Sequence, residues 1–131
     1  MIAVVLAAVR PIEAGPPSSP GVVAIEPPRR SIGKVLKRID EPTARRIVQQ
    51  QGQANLVYAA DTLSHIAHVG AVFAGVEALL APGGVFVFED RYLGDVVGRT
   101  SFDQLHDEHF YLFALHSVRA MAETFGFDLV D

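Results

Sequence analysis

Three short apolar runs, Gly21-Val22-Val23-Ala24-Ile25-Glu26, Asn55-Leu56-Val57-Tyr58-Ala59-Ala60 and Val85-Phe86-Val87-Phe88-Glu89, alternate with helix-patterned segments. No other feature constrains the fold as tightly. Continuous apolar strands belong to sheets covered on both faces, because neither face then meets water. Between the second and third runs, Val69, Val72, Phe73, Val76, Leu79 and Leu80 follow the three-and-four spacing of an amphipathic helix. Pro82-Gly83-Gly84 ends that helix. An earlier helix starts at Asp40-Glu41-Pro42, with acids at its positive end and proline in its first turn. Ala44, Ile47 and Val48 form its buried stripe, and Gly52 stops it. A last helix around Ser117–Phe125 turns Val118, Met121, Ala122 and Phe125 inward; Gly126 caps it, and Phe127-Asp128-Leu129-Val130 begins a final strand. This order of elements predicts an α/β fold on a parallel sheet.

The remaining segments carry less regular patterns. Ile2–Val9 is apolar but short and lacks a positive leading region, so it reads as a buried strand rather than a signal peptide. Prolines at 11, 16, 17 and 20, with Gly15, break both helix and strand. Residues 1–20 are therefore an irregular N-terminal segment in which Ile2–Val9 can supply a first strand, and residues 21–131 form the domain proper. Arg29–Arg46 holds seven of the eleven basic residues, a pattern that favours a solvated helical face over an anion site. The net charge of −4 argues against a nucleic-acid partner. No stretch reaches the roughly 18 apolar residues that a membrane span needs, which makes a cytoplasmic globular domain the expectation. With no cysteine, disulfides, a thiolate nucleophile and a cysteine-based zinc site are excluded.

In sheets of this kind ligands bind beyond the carboxyl ends of the strands. Glu26 ends its strand, where an acid either accepts hydrogen bonds from ribose hydroxyls or is simply a surface residue. Asp61-Thr62-Leu63-Ser64-His65 follows the next strand; three of these are helix-capping types, so capping accounts for at least one. His65 and His68 share a helical face without a third ligand type nearby, and no metal site is expected. The densest constellation is His106-Asp107-Glu108-His109, with Tyr111 and His116 close behind. It can build a general base with its orienting partner, or be a solvated polar turn. No Gly-x-Ser-x-Gly, Walker or Gly-x-Gly-x-x-Gly motif is present, which leaves hydrolase and nucleoside-triphosphate readings without support.

Two sets of motifs carry a family resemblance. Ala24-Ile25-Glu26-Pro27 and Leu79-Leu80-Ala81-Pro82-Gly83-Gly84 are similar to class I methyltransferases in general. Phe86-Val87-Phe88-Glu89-Asp90-Arg91-Tyr92-Leu93-Gly94-Asp95 and Thr100-Ser101-Phe102-Asp103-Gln104-Leu105-His106-Asp107-Glu108-His109 are sharper. They resemble sugar C-methyltransferases that act on nucleotide-linked 4-keto sugars in deoxysugar biosynthesis, and the match continues from Phe113 through Val130. The resemblance implies an incomplete Rossmann-like class I methyltransferase sheet, S-adenosylmethionine as cofactor and a nucleotide-diphosphate sugar as substrate. It makes His109 the base that removes a proton beside the ketone, with Glu108 and His106 at its side. It places Glu26 at the cofactor ribose, Asp61, Thr62 and His65 near the cofactor, and Tyr92 and Tyr111 at the substrate.

The departures from the family pattern are equally specific. Arg91 stands where the family usually has proline, and His106 where it often has an aromatic residue. Val9–Pro17 lacks the acidic, glycine-containing loop that holds the methionine part of the cofactor, and the stretch from Glu26 to Glu41 is short for a third strand. The family's cysteine-rich zinc module and large C-terminal domain are not in this sequence, nor is the seventh strand with which the last one should pair. These departures support an alternative: a non-catalytic methyltransferase remnant that associates through an exposed edge, with homo-oligomers as one outcome.

Overall fold

A computed structural model describes residues 2–8, 22–25, 40–101, 103, 105 and 107–130. The elements are β1 (Ile2–Ala8), β2 (Val22–Ile25), α1 (Glu41–Gln51), β3 (Ala54–Ala60), a 3-10 turn (Leu63–His65), α2 (Val69–Leu79), β4 (Leu80–Asp90), α3 (Leu93–Gly98), α4 (Leu115–Thr124) and β5 (Phe127–Leu129). The strands form one sheet in the order β2-β3-β4-β1-β5. Parallel pairing joins β2 to β3, with Val23 opposite Val57, and β3 to β4, with Val57 opposite Phe86.

The expectation of a wholly parallel sheet is corrected at β1. This strand runs antiparallel to β4, placing Val4 opposite Phe88 and Leu6 opposite Phe86, and antiparallel to β5, placing Leu6 opposite Leu129. An apolar run has no sequence signal for direction, because either direction satisfies every backbone N–H and C=O. β1 therefore lies inside the sheet, between β4 and β5. Val4 and Leu6 are fully buried by this placement.

Capping chemistry sets the limits of α1. Asp40 Oδ1 accepts the Thr43 amide at 3.0 Å, Pro42 occupies the first turn, and Gly52, at φ +83°, donates its amide to the Val48 carbonyl at 2.8 Å. The Thr43 hydrogen bonds hold the Asp40 carboxyl below the usual carboxylate range. A depressed folded-state value contributes stability that is complete above the unfolded value and disappears as the pH falls through the folded one. Asp40→Ala is therefore expected to lower the melting temperature at neutral pH. The gap to the parent chain should close in acid, and thermal melts followed by circular dichroism across that range check it.

A row of aromatic rings ties α2 to the sheet and leads toward its carboxyl edge. Phe73 stacks on Phe125 with centroids 4.8 Å apart and meets Phe86 and Phe127 edge-on at 5.9 and 5.5 Å. Phe86 neighbours Phe88, Phe88 meets Phe113, and Phe113 stacks with Tyr111. Such pairs add to the area they bury because ring edges and faces carry opposite partial charges.

β4 starts earlier than the sequence suggests. Pro82-Gly83-Gly84 lies inside the strand as an irregularity, where the register against β3 shifts between Ala54 and Leu56. A side chain at Gly84 would come within 2.9 Å of the Ala81 carbonyl oxygen and 3.1 Å of that of Ala54. Glycine fits because a side chain here would meet the carbonyl of its own strand's Ala81 first and that of Ala54 on β3 next. The helix α3 lies in a stretch whose mixed, acid-rich composition gave no helical period; it is held by a bridge between Tyr92 and Phe113 and by the Leu93 amide on the Phe113 carbonyl, 2.8 Å.

Candidate active site

The carboxyl ends of β3 and β4 lie side by side, and the polar residues that follow them meet there. Asp61, in the left-handed region at φ +45°, turns the chain away from β3 while its amide donates to the Glu89 carbonyl at 2.9 Å. Aspartate is among the few residues that tolerate this conformation. Asp90, completely buried, ends β4. Its Oδ2 accepts the Ser64 amide and its Oδ1 the Arg91 amide, each at 2.9 Å. One carboxylate thus fixes the turn after β3 and the first residue after β4.

The segment carrying the histidine motif is laid over this turn. The Phe110 amide donates to the Ser64 carbonyl at 2.7 Å, the Tyr111 hydroxyl to the Ala67 carbonyl at 2.8 Å, and His65 Nδ1 to the Glu108 carbonyl at 3.3 Å. The rings of His65 and His109 consequently sit 4.5 Å apart, tilted by 48°. Arg91 Nη1 lies against the His109 ring, in contact with Nε2 and 3.4 Å from Nδ1, and 3.9 Å from Asp61 Oδ1.

Arg91 also lines a cavity of about 430 Å3, together with Asp61, Tyr92, Asp95, Val96, Arg99 and Ser101. Arg99 crosses this mouth to within 4.0 Å of Asp95. The side chain of Arg91 is about a quarter exposed, so it belongs at once to the cavity wall and to the contact with His109.

The residues singled out from sequence separate into groups. His109, Asp61 and His65 converge, and Tyr92 lines the cavity. Thr62 is fully buried, with its hydroxyl donated to the Ala60 carbonyl at 2.6 Å, so it holds the loop from inside. Tyr111 spends its hydroxyl on Ala67 and packs against Phe113. The Glu108 side chain is exposed, and its backbone carbonyl is what meets His65. Glu26 and His106 lie outside the described residues. His68 and His116 are exposed, and no group of three or more metal-ligating side chains occurs among the described residues.

Sequence reasoning missed the organising role of Asp90. Its signal was available, because a carboxylate at the end of an apolar strand is the same feature that singled out Glu26.

Two comparisons with known proteins identify the family. A family model described as a methyltransferase domain matches residues 9–131. The chain is also 34% identical over 122 residues to the C-methyltransferase NovU of Streptomyces niveus, a match that covers 87% of this chain. The chain spans only 29% of the length of that relative.

Proposed function

Because this chain belongs to the methyltransferase-domain family, we propose that it serves in C-methylation of a small molecule, a keto deoxysugar linked to a nucleoside diphosphate, with His109 as general base and S-adenosylmethionine as methyl donor. The observation that supports this reading best is the convergence of His109, Arg91 and Asp61 at the carboxyl ends of β3 and β4. There an imidazole, a cation and a carboxylate meet beside an open cavity that Arg91 and Asp61 line. The name of the relative adds that NovU methylates at carbon. Carbon nucleophiles of this kind arise when a base removes a proton beside a carbonyl.

Bound S-adenosylmethionine supplies an electrophilic methyl group on a sulfonium. Asp61 fits such a ligand: its side chain is half-exposed, yet Oδ1 is sealed from water and accepts no hydrogen bond among the described residues. An acceptor left in that condition is costly unless a donor completes it, and the cofactor offers amino and hydroxyl donors. Thr62 and Asp90 keep Asp61 in place from below, and Glu26 is assigned to the ribose. On the substrate side Tyr92 lines the cavity and Tyr111 fixes the His109 segment through Ala67, while Glu108 and His106 are assigned to assist the base as the family resemblance implies. No helix among the described residues is long and apolar enough to cross a membrane, and cytoplasmic action on a soluble substrate belongs to the same reading.

A second reading is a non-catalytic module that acts by association, including with its own copies. One observation favours it: Val97, Leu105 and Phe110 are 71%, 53% and 60% exposed. Calorimetric titration with S-adenosylmethionine and S-adenosylhomocysteine separates the two. Micromolar binding, about −8 kcal/mol, is expected, and Asp61→Ala should weaken it about tenfold, since a hydrogen bond to a charged group contributes roughly 1.5–3 kcal/mol. A folded sample that gives no heat would move the assignment to the associating module.

A further inference from the structure

We infer that Asp61 and Arg91 together hold the amino-acid end of S-adenosylmethionine, Asp61 taking its ammonium and Arg91 its carboxylate. The inference rests on the proposed function and deepens it, because it names the part of the cofactor that this corner of the site receives. Arg91 enters as a binding residue at a position where this chain departs from the family pattern.

Three observations carry it. Both side chains line the same cavity of about 430 Å3. Arg91 Nη1 stands 3.9 Å from Asp61 Oδ1, so a cation and an anion face that cavity side by side. The separation exceeds the roughly 2.7–2.9 Å of a charge-assisted hydrogen bond, and Asp61 Oδ1 accepts no hydrogen bond among the described residues. Both residues are also anchored through their backbones. The Asp61 amide donates to the Glu89 carbonyl and the Arg91 amide to the buried Asp90 carboxylate, each at 2.9 Å.

An α-amino acid carries its ammonium and its carboxylate on one carbon. Its two charges therefore lie side by side as well, and they need partners of opposite sign in the same arrangement. The rest of the lining separates such a ligand from a simple anion. Asp95 and Arg99 add one more charge of each sign, and Tyr92 and Ser101 add hydroxyls. Two acids and two bases cancel, so a phosphate or a lone carboxylate would meet repulsion along with attraction, whereas a ligand of both signs is complementary at each end. Of the two cations, Arg91 is the better carboxylate partner. Its side chain is 24% exposed against 77% for Arg99, and charged hydrogen bonds strengthen where water is thinned out.

Calorimetry tests the pairing group by group and without turnover. S-adenosylmethionine, its decarboxylated form and 5′-methylthioadenosine are titrated into the parent chain and its variants. The last of these lacks the whole amino-acid end and reports on the adenosine part of the site alone. Decarboxylation should weaken binding to the parent about 10- to 100-fold, as expected for a lost hydrogen bond between charged groups. In Arg91→Ala the two cofactor forms should bind within about twofold of each other, because the carboxylate has lost its partner. Arg91→Gln removes the charge but keeps a long polar side chain; it should behave in the same way and guards against a poorly folded alanine variant. Asp61→Ala should weaken both cofactor forms and leave 5′-methylthioadenosine unchanged. A parent that binds both forms equally, or Arg91 variants that keep the parent's preference for the carboxylate, overturns the inference and leaves the proposed function standing. A folded parent that binds none of the three overturns both.

Discussion

His109→Asn should lose carbon-acid exchange and methylation by about 100- to 10,000-fold, the range in which a positioned base contributes. Asparagine is the informative replacement because its amide stands where the near edge of the imidazole does and cannot take up a proton at neutral pH, so the base is lost with little change in volume. His109 is half-exposed, and its segment is anchored by Phe110 on Ser64 and Tyr111 on Ala67, so the substitution should leave folding intact. Cofactor affinity measured by calorimetry should accordingly match the parent within about twofold, a change of less than ~0.5 kcal/mol. Methylation at the parental rate would remove His109 from the mechanism.

A comparable loss, reached by a different route, is expected at Asp90. Asp90→Ala takes away one carboxylate that accepts two backbone amides, from Ser64 and Arg91. The residue is fully buried, so water does not readily replace it, and each orphaned donor costs roughly 1–3 kcal/mol. A destabilisation of about 3 kcal/mol follows, a large share of the roughly 5–15 kcal/mol that holds a domain of ordinary size. Activity should fall further than stability alone explains, because the turn that carries Asp61 and His65 and the backbone of Arg91 lose their common tether. Asp90→Asn, which keeps one acceptor and turns an amino group toward the other amide, should lie between the two. Urea unfolding compared with exchange rates at matched folded fraction distinguishes these contributions, and an alanine variant as stable as the parent would show that the tether is not needed.

Legibility in the sequence followed the physics of each element. The helices α1, α2 and α4 were legible because their apolar residues repeat with the helical period and their ends carry Asp40, Gly52 and Gly126. The strands β2, β3 and β4 were legible as apolar runs. The direction of β1 was not, since Ile2–Ala8 would read identically in either orientation and its partners lie far along the chain. Helix α3 was hidden because six residues are too few to establish a period. At the site, residue type drew attention to His109, Asp61 and His65, but the contacts joining them run through backbone carbonyls of Ser64, Ala67 and Glu108. Backbone partners leave no trace in side-chain chemistry. The burial of Thr62 was invisible for the same reason, because capping types look alike whether they face solvent or the loop beneath them.

The position of β1 sets the order in which this molecule can be assembled. Its partners are Asp90 through Val85 on one side and Phe127 through Leu129 on the other. One side of the slot it fills therefore exists only after Asp90 has been synthesised, and the other only after Leu129. Until then Val4 and Leu6, which end fully buried, have no native neighbours. Contacts so distant in sequence make for slow closure and a high contact order. On the ribosome, where earlier residues emerge first, β1 leaves ahead of both of its native partners. The oldest part of the sheet to leave the ribosome is thus among the last to find its place.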